Sequence, residues 1–401
     1  MITVEEADTI IFKNILELPP ARVALQEAFS RILCEDLIAD RDFPSFHRVT
    51  MDGIAINFSS WENGKRIFPI AGTQKAGIPP MMLKDGDSCM EVMTGAVLPG
   101  GCDCVIPVEH MDCEKGRARL KGDVPLVRRQ NIHLQGSDHR AGDVLVLKGN
   151  RLLAPQVAIA ASIGKAEVLV SKLPRIAVIG TGDEIVGIHQ RVEPYQIRQS
   201  NSYAIQAALV LQGYNDVARF HLKDDKDEMT QKLGDILDKF DVIILSGGVS
   251  MGQYDYVPQV LTSLGVDVLF HQVKQRPGKP FWFGKSKQGR PVFALPGNPV
   301  STQIGVYRYV LAYLNRAVNA KAIPCEYAVL DEDVEVKTDL TYFLPVRLMS
   351  KQGKPLAATP VIPSGSGDFV ALAKSDGFIE LPANTFHFSQ GTPARLFRWR
   401  F

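Results

Sequence analysis

Apolar and polar residues change their rhythm several times along the chain. The opening MITVEEADTIIF predicts a helix, with Thr3 and Glu6 spaced as a capping box. The first forty residues read as that helix and a connection. From Pro44 to about Gln135 the apolar runs are short and cut by Gly, Pro and Asp, as in VMTGAVLPGG and CDCVIPVEHM. This texture predicts a β-rich region. Ala154–Ile163 predicts a helix, with Pro155 in its first turn and Gly164 as its stop.

After Leu173-Pro174 strands and helices alternate. Strands are predicted at Arg175–Ile179, Val217–Phe220, Asp241–Leu245, Val266–Val273 and Val292–Leu295. Helices are predicted at Ser200–Leu211, Lys226–Phe240, Val257–Leu264 and from Pro299 to about Asn315. Fully apolar strands between helices imply a parallel α/β sheet. From about Cys325 the pattern is strand-like again. Phe397, Trp399 and Phe401 alternate with Arg398 and Arg400, which suits a half-buried strand in a small β-sandwich or barrel.

Composition narrows the partners. Of 401 residues, 45 are Lys or Arg and 44 Asp or Glu. That balance gives no electrostatic case for nucleic acid, so any anion site must be local. No run has the length of a membrane span, and the N-terminus lacks the basic-then-apolar pattern of a signal peptide. No membrane partner and a cytoplasmic location are expected. Cys102, Cys104 and Cys113 cluster, but no fourth ligand is in register. Alternation places Cys102 and Cys104 on one face of a strand, as small buried residues.

The candidate chemistry lies in three loops after strand ends, where open α/β sheets bind ligands. They are GTGDE at 180–184, SGGVSMGQYD at 246–255 and LPGNPVS at 295–301. Gly180, Thr181, Gly182, Asp183, Ser246, Gly247, Gly248 and Ser250 let backbone N–H groups approach an anion closely. In the third loop, Pro296 and Gly297 precede Asn298, which reads as the cap of a helix beginning at Pro299 and pointing at the same edge. QRPGKP at 275–280 adds Arg276 and Lys279 around Gly278, two cations suited to phosphate. Glu184 and Asp255 are carboxylates for a Mg²⁺ bridging to phosphate oxygens. Taken alone, GTGDE could be an ordinary capped turn and Lys279 a solvated lysine. Asp52-Gly53 and Thr94-Gly95 each read equally as turns.

Together these segments resemble the molybdopterin molybdenumtransferases, the MoeA family, related to the E domain of gephyrin. The resemblance runs in order through MDGIA, VMTGAVLPGGCDCVIPVEHM, GSDHRAGDVL, PRIAVIGTGDEIV and QSNSYAI. It continues through SGGVSMGQYDYV, RPGKPFWFGK, FALPGNPVS and GSGDFVALAKSDGFIELP. It implies a mixed α/β multidomain fold: a discontinuous linking domain (1–43 and 138–173), an inserted β-rich domain (44–137), a central parallel α/β molybdopterin-binding domain (174–322) and a C-terminal β-barrel (323–401).

The implied reaction consumes adenylylated molybdopterin and molybdate, inserts molybdenum, and releases AMP and molybdenum cofactor. Catalytic roles fall on Asp52, Thr94, Glu184, Asp255 and Lys279, with Glu184 and Asp255 holding Mg²⁺. Asp138, Arg276, Pro296, Pro299 and Ser366 match further functional positions. The family also implies a homodimer, and transient contact with molybdopterin adenylyltransferase and molybdoenzyme chaperones. A non-catalytic molybdopterin-binding scaffold and a molybdopterin adenylyltransferase are the alternative readings. Val49, Ile54 and Ser137 depart from the family's Ser, Tyr and Glu. A frequent K-x-x-x-K is here Gln272 and Arg276, and strand alternation would let Lys274 substitute for the missing cation.

Overall fold

The computed structural model describes residues 1–122, 124–249, 256–322, 324–350 and 352–399. It divides into two compact units. The first comprises Met1–Cys34, Gly149–Ala154 and Glu167–Phe401; the second comprises Glu35–Lys148 and Pro155–Ala166.

Helix α1 (Val4–Lys13) opens the first unit with the expected capping box, which supplies two otherwise orphaned N–H groups with acceptors. Val4, Ala7 and Ile11 form its buried stripe.

The second unit is built on a six-stranded sheet. Its strands are β1 (Gly53–Ile56), β2 (Ile67–Gln74), β3 (Cys89–Val92), β4 (Cys104–Pro107), β5 (Met111–Glu114) and β6 (Arg117–Leu120), in the order β4-β1-β3-β2-β6-β5. Strands β1 and β4 are buried along their whole length. Gly53 is required there: a Cβ would stand 1.9 Å from the Ile106 carbonyl oxygen of the paired strand. The cysteine expectation needs correcting. Strand β4 begins at Cys104, and Cys102 precedes it and packs in a different apolar cluster. Both are buried, with Cys89, and burial pushes these three thiols up to about 12. Cys113 is exposed. Helix α2 (Ala154–Ser162) forms as expected, and Gly164 ends it with φ +74°.

In the first unit a second six-stranded sheet carries the α/β alternation. It contains β7 (Ile176–Thr181), helix α3 (Asn201–Leu211), β8 (Val217–Leu222), α4 (Lys226–Lys239), β9 (Val242–Ser246), α5 (Val257–Ser263) and β10 (Asp267–His271). The short strand β11 (Gln275–Arg276) leaves the sheet, and β12 (Trp282–Lys285) and β13 (Pro291–Leu295) return to it. The order is β8-β7-β9-β13-β12-β10. Strands β7, β9 and β13 are wholly buried, as strands covered on both faces must be. The sheet is mixed rather than all parallel, because β12 runs antiparallel to both β13 and β10. The turn around Lys287–Gly289 joins β12 to β13 as a hairpin, which needs no crossover helix.

Helix α6 (Pro299–Gly305) continues through a π-turn at Val306–Val310 into α7 (Leu311–Ala317). The C-terminal strands are β14 (Glu326–Leu330), β15 (Thr341–Met349), β16 (Ala357–Pro360), β17 (Gly377–Leu381) and β18 (Pro393–Arg398), with helix α8 (Phe369–Ala373) between β16 and β17. Their order β15-β16-β14-β18-β17 closes because β17 also pairs with β15, making a five-stranded barrel. Strand β11 adds to this barrel beside β15, in register Gln275↔Thr341 and Arg276↔Tyr342. Phe397 and Trp399 are partly buried against the core, as their alternation predicts; Arg400 and Phe401 lie outside the described residues.

Candidate functional site

The carboxyl ends of β7, β9 and β13 converge on a cleft of about 880 Å³. Gly180, Thr181, Gly182 and Glu184 line it from the first loop, and Ser246, Gly247 and Gly248 from the second. Pro296, Gly297, Asn298 and Pro299 line it from the third. The first loop starts later than its sequence suggests, since Gly180 and Thr181 still belong to β7. Asp183 does not line the cleft; its carboxylate accepts from the Asp224 N–H at 3.2 Å. Ser250 and Asp255 fall outside the described residues.

The glycines have a steric cause. A Cβ on Gly247, whose φ is +103°, would stand 2.7 Å from the Thr181 carbonyl oxygen and 2.8 Å from its Oγ1. Loops one and two therefore touch backbone to backbone. Sequence reasoning missed what ties the second and third loops together. Asn201, at the start of α3, donates from Nδ2 to Ser246 Oγ at 2.9 Å and to the Gly297 carbonyl at 2.7 Å. An Asn at a helix start reads as a cap, and only the QSNSYAI segment carried a hint of more. Two hydroxyls at this cleft, Thr181 Oγ1 and Ser202 Oγ, are buried without a hydrogen-bond partner. Buried polar groups in folded proteins rarely stay unpaired, and ligand sites are a recurrent exception.

A smaller cavity of about 380 Å³ adjoins the cleft; Pro280, Pro296 and Asn298 line both. Arg276, Gly278, Lys279 and Ser366 line it, with Tyr342 and Phe343 from the barrel. Lys279 and Arg276 are exposed, and the Arg276 guanidinium lies 5.9 Å from the Tyr342 ring centre. Asn298 does not cap α6 with its side chain. Its Nδ2 donates instead to Ser366 Oγ at 2.7 Å, which leaves the Ser366 O–H to donate elsewhere. Lys274 shares the exposed side with Arg276, but only Arg276 lines the cavity. Gln272 lies outside the alternation, beyond the end of β10 and with φ +77°.

The remaining candidates lie in the second unit. Asp52 and Thr94 were legible only as two separate turns, yet they meet. Asp52 Oδ1 accepts from the Thr94 N–H at 2.6 Å and from Thr94 Oγ1 at 2.7 Å. The hydroxyl bond first, and the N–H second, hold the Asp52 carboxyl below the ordinary carboxylate range. Asp138 is likewise held low, mainly by His133, whose Nε2 lies 2.8 Å from Oδ1. Arg48 Nη2 stands 3.0 Å from His133 Nδ1. A guanidinium only donates, so Nδ1 must accept and Nε2 must carry the proton toward Asp138.

Among the described residues no group of three or more His, Cys, Asp or Glu is arranged to hold a metal ion. Glu184 and Asp224 nevertheless both line the large cleft. One or two carboxylates beside phosphate is the usual setting for Mg²⁺. No helix among the described residues is long and apolar enough to cross a membrane.

Three family models match the chain consecutively. They are the MoeA N-terminal region (domain I and II) over residues 2–164, a "probable molybdopterin binding domain" over 177–316, and the MoeA C-terminal region (domain IV) over 327–396. A protein of Synechocystis named molybdopterin molybdenumtransferase is 38% identical over 400 residues, covering 100% of both chains. One of the same name from Staphylococcus epidermidis is 32% identical, covering 97% of this chain and 94% of its own. The crystal structure of a molybdopterin biosynthesis moeA protein from Pyrococcus horikosii superposes with a TM-score of 0.83 at 29% identity, covering 100% of both chains. Full-length similarity at this level, with the three consecutive models, settles the family: the chain belongs to the molybdopterin molybdenumtransferases, the MoeA family.

Proposed function

We propose that this protein inserts molybdenum from molybdate into adenylylated molybdopterin, releasing AMP and molybdenum cofactor. The observation that carries the reading is the junction of the two cavities at Pro280, Pro296 and Asn298. The larger cleft offers backbone N–H groups and hydroxyls to a phosphorylated ligand. The smaller offers Arg276, Lys279 and the Ser366 hydroxyl to a tetrahedral oxyanion. A phosphorylated dithiolene in one cavity can then face an oxyanion in the other.

Gly180, Gly182, Ser246, Gly247, Gly248, Gly297 and the start of α6 bind the phosphate-bearing part. Lys279 and Arg276 hold and orient molybdate. Glu184, with Asp255, supplies the carboxylates for Mg²⁺, which when bound offsets charge on the phosphoanhydride oxygens. Asp52, kept ionised by Thr94, and Asp138 complete the set of functional carboxylates. We read the chain as the four domains expected from its family.

We also propose a homodimer and a cytoplasmic setting. Helix α2 is apolar except for Gln156 and Ser162, yet Ala160 is its one buried residue. Register partners Ile38 and Val144 are about half exposed, as is Leu147. A helix this apolar is normally covered, and a second copy would cover this one. Sedimentation at micromolar concentration should give twice the chain mass; a monomer would reject the dimer.

The function is tested by following AMP release from adenylylated molybdopterin, with and without molybdate and Mg²⁺. Release that requires both, with cofactor formed in equal amount, is expected. Consumption of ATP and unmodified molybdopterin instead would favour an adenylyltransferase. Binding without turnover would favour a scaffold.

A further inference from the structure

The cations of the smaller cavity sit on a loop whose shape is set from beneath. Gln275 borders the cavity, but it is 2% exposed and both ends of its amide are engaged by the protein. Its Nε2 donates to the Gly278 carbonyl at 3.0 Å, closing the turn that carries Arg276, Pro277 and Gly278. Its Oε1 accepts from the Tyr309 hydroxyl at 2.5 Å. The amide orientation is fixed by chemistry: the Gly278 carbonyl can only accept, so Nε2 must face it, and Tyr309 must donate to Oε1. Gly278 has φ +91°, and a Cβ there would stand 2.9 Å from Gln275 Nε2. The amide thus occupies the space beneath the turn as well as bonding to it.

Tyr309 is itself fully buried, packed on Phe281 at 4.9 Å between ring centres. It lies in the π-turn of Val306–Val310, next to Arg308. Arg308 is 3% exposed and ion-paired to Asp8 at 2.8 Å and Glu380 at 2.9 Å. The Tyr309 hydroxyl is therefore presented from a position anchored to α1 and to barrel strand β17. On its other side the loop is stitched to β15 through Gln275 and Arg276.

We infer that Gln275 and Tyr309 are positioning residues for the oxyanion subsite: they fix the turn that aims Arg276 and Lys279, without touching the ligand. The inference rests on the proposed molybdenum-insertion reading and deepens it. An unfixed turn still carries both cations, so the chemistry at saturation survives while capture of the oxyanion suffers.

The test measures AMP release against molybdate concentration in full-length wild type, Tyr309→Phe, Gln275→Met and the double variant, with the thermal midpoint of each. Both single variants should raise the half-saturating molybdate roughly tenfold, the scale of one lost hydrogen bond in a buried site. Turnover at saturation should stay within about twofold of wild type. Tyr309→Phe leaves a buried amide oxygen unpaired and should lower the midpoint. The double variant removes that oxygen too, so its midpoint should rise above that of Tyr309→Phe while its molybdate requirement stays high. Recovery of both together, or single variants with unchanged molybdate response, overturns the positioning role. Wild type that releases no AMP in response to molybdate rejects the function itself, a separately visible outcome.

Discussion

The candidate groups of the two units differ in how they are satisfied. At the large cleft of the first unit, backbone glycines crowd together and two buried hydroxyls, Thr181 and Ser202, have no partner. In the second unit the candidate groups satisfy one another: Asp52 takes two bonds from Thr94, and Asp138 is bonded to His133. The first arrangement leaves two buried hydroxyls with bonding capacity to spare. The second is complete and holds two exposed carboxylates in the charged form. One region leaves buried hydroxyls available for bonding, and the other keeps exposed carboxylates charged.

If that contrast is right, adding one methyl group should have different consequences in the two places. Gly53→Ala puts its Cβ into the Ile106 carbonyl and must part β1 from β4. We expect a stability loss of about 3 kcal/mol or more, read as a lower denaturant midpoint. An unchanged midpoint would mean the strands separate there at little cost. Gly247→Ala forces loops one and two apart at the cleft. It should cost about 1–3 kcal/mol of stability and lower turnover roughly a hundredfold, measured by AMP release. Turnover near wild type would show that the close approach of the loops is only structural.

Much of the first region was legible because close backbone approach leaves a mark in sequence. Only glycine fits where Gly247 meets Thr181, and apolar strands ending in glycine loops announce a ligand edge. What stayed hidden depends on side chains reaching across the fold. Asn201 and Tyr309 fall within predicted helices, and nothing in helical periodicity marks what either side chain reaches. Asp52 and Thr94 are 42 positions apart and carry no periodic signal. The antiparallel β12 was missed because FWFGK shows no clean alternation beside a proline-rich loop. Cys102 seemed to continue a strand because alternation alone does not show where pairing begins.

Two smaller effects sharpen the contrast. Lys279→Ala should raise the half-saturating molybdate about tenfold while changing stability by less than about 0.5 kcal/mol, since an exposed lysine adds little to folding. A large stability change would mark Lys279 as part of the scaffold. Thr94→Val removes the hydroxyl bond to Asp52 and should move that carboxyl's titration upward, toward the ordinary range, in a carboxyl-carbon NMR titration. The sign follows from the depressed value. The bond's contribution is complete above the unfolded carboxylate's pKa and is lost as pH falls through the lower, folded one. The substitution should therefore lower stability at neutral pH, and the difference from wild type should shrink to nothing as pH falls through the carboxyl's range. No movement of the Asp52 titration would mean that something other than Thr94 holds the charge.

The closed barrel gives the smaller cavity two walls with different clocks. Every strand of the ring β15-β16-β14-β18-β17 has a neighbour on each side. On that wall Tyr342 lies between β17 and β11, and Phe343 pairs with β17, so freeing either means breaking the barrel ladder. Amide hydrogens on that wall should exchange only in rare, large openings, on the slow end of the molecule's range. The opposite wall is loop, at Pro363, Gly365 and Ser366, with few bonds to break. Its amides should exchange far sooner. The cavity thus joins a wall that opens only with the barrel to one that can open locally.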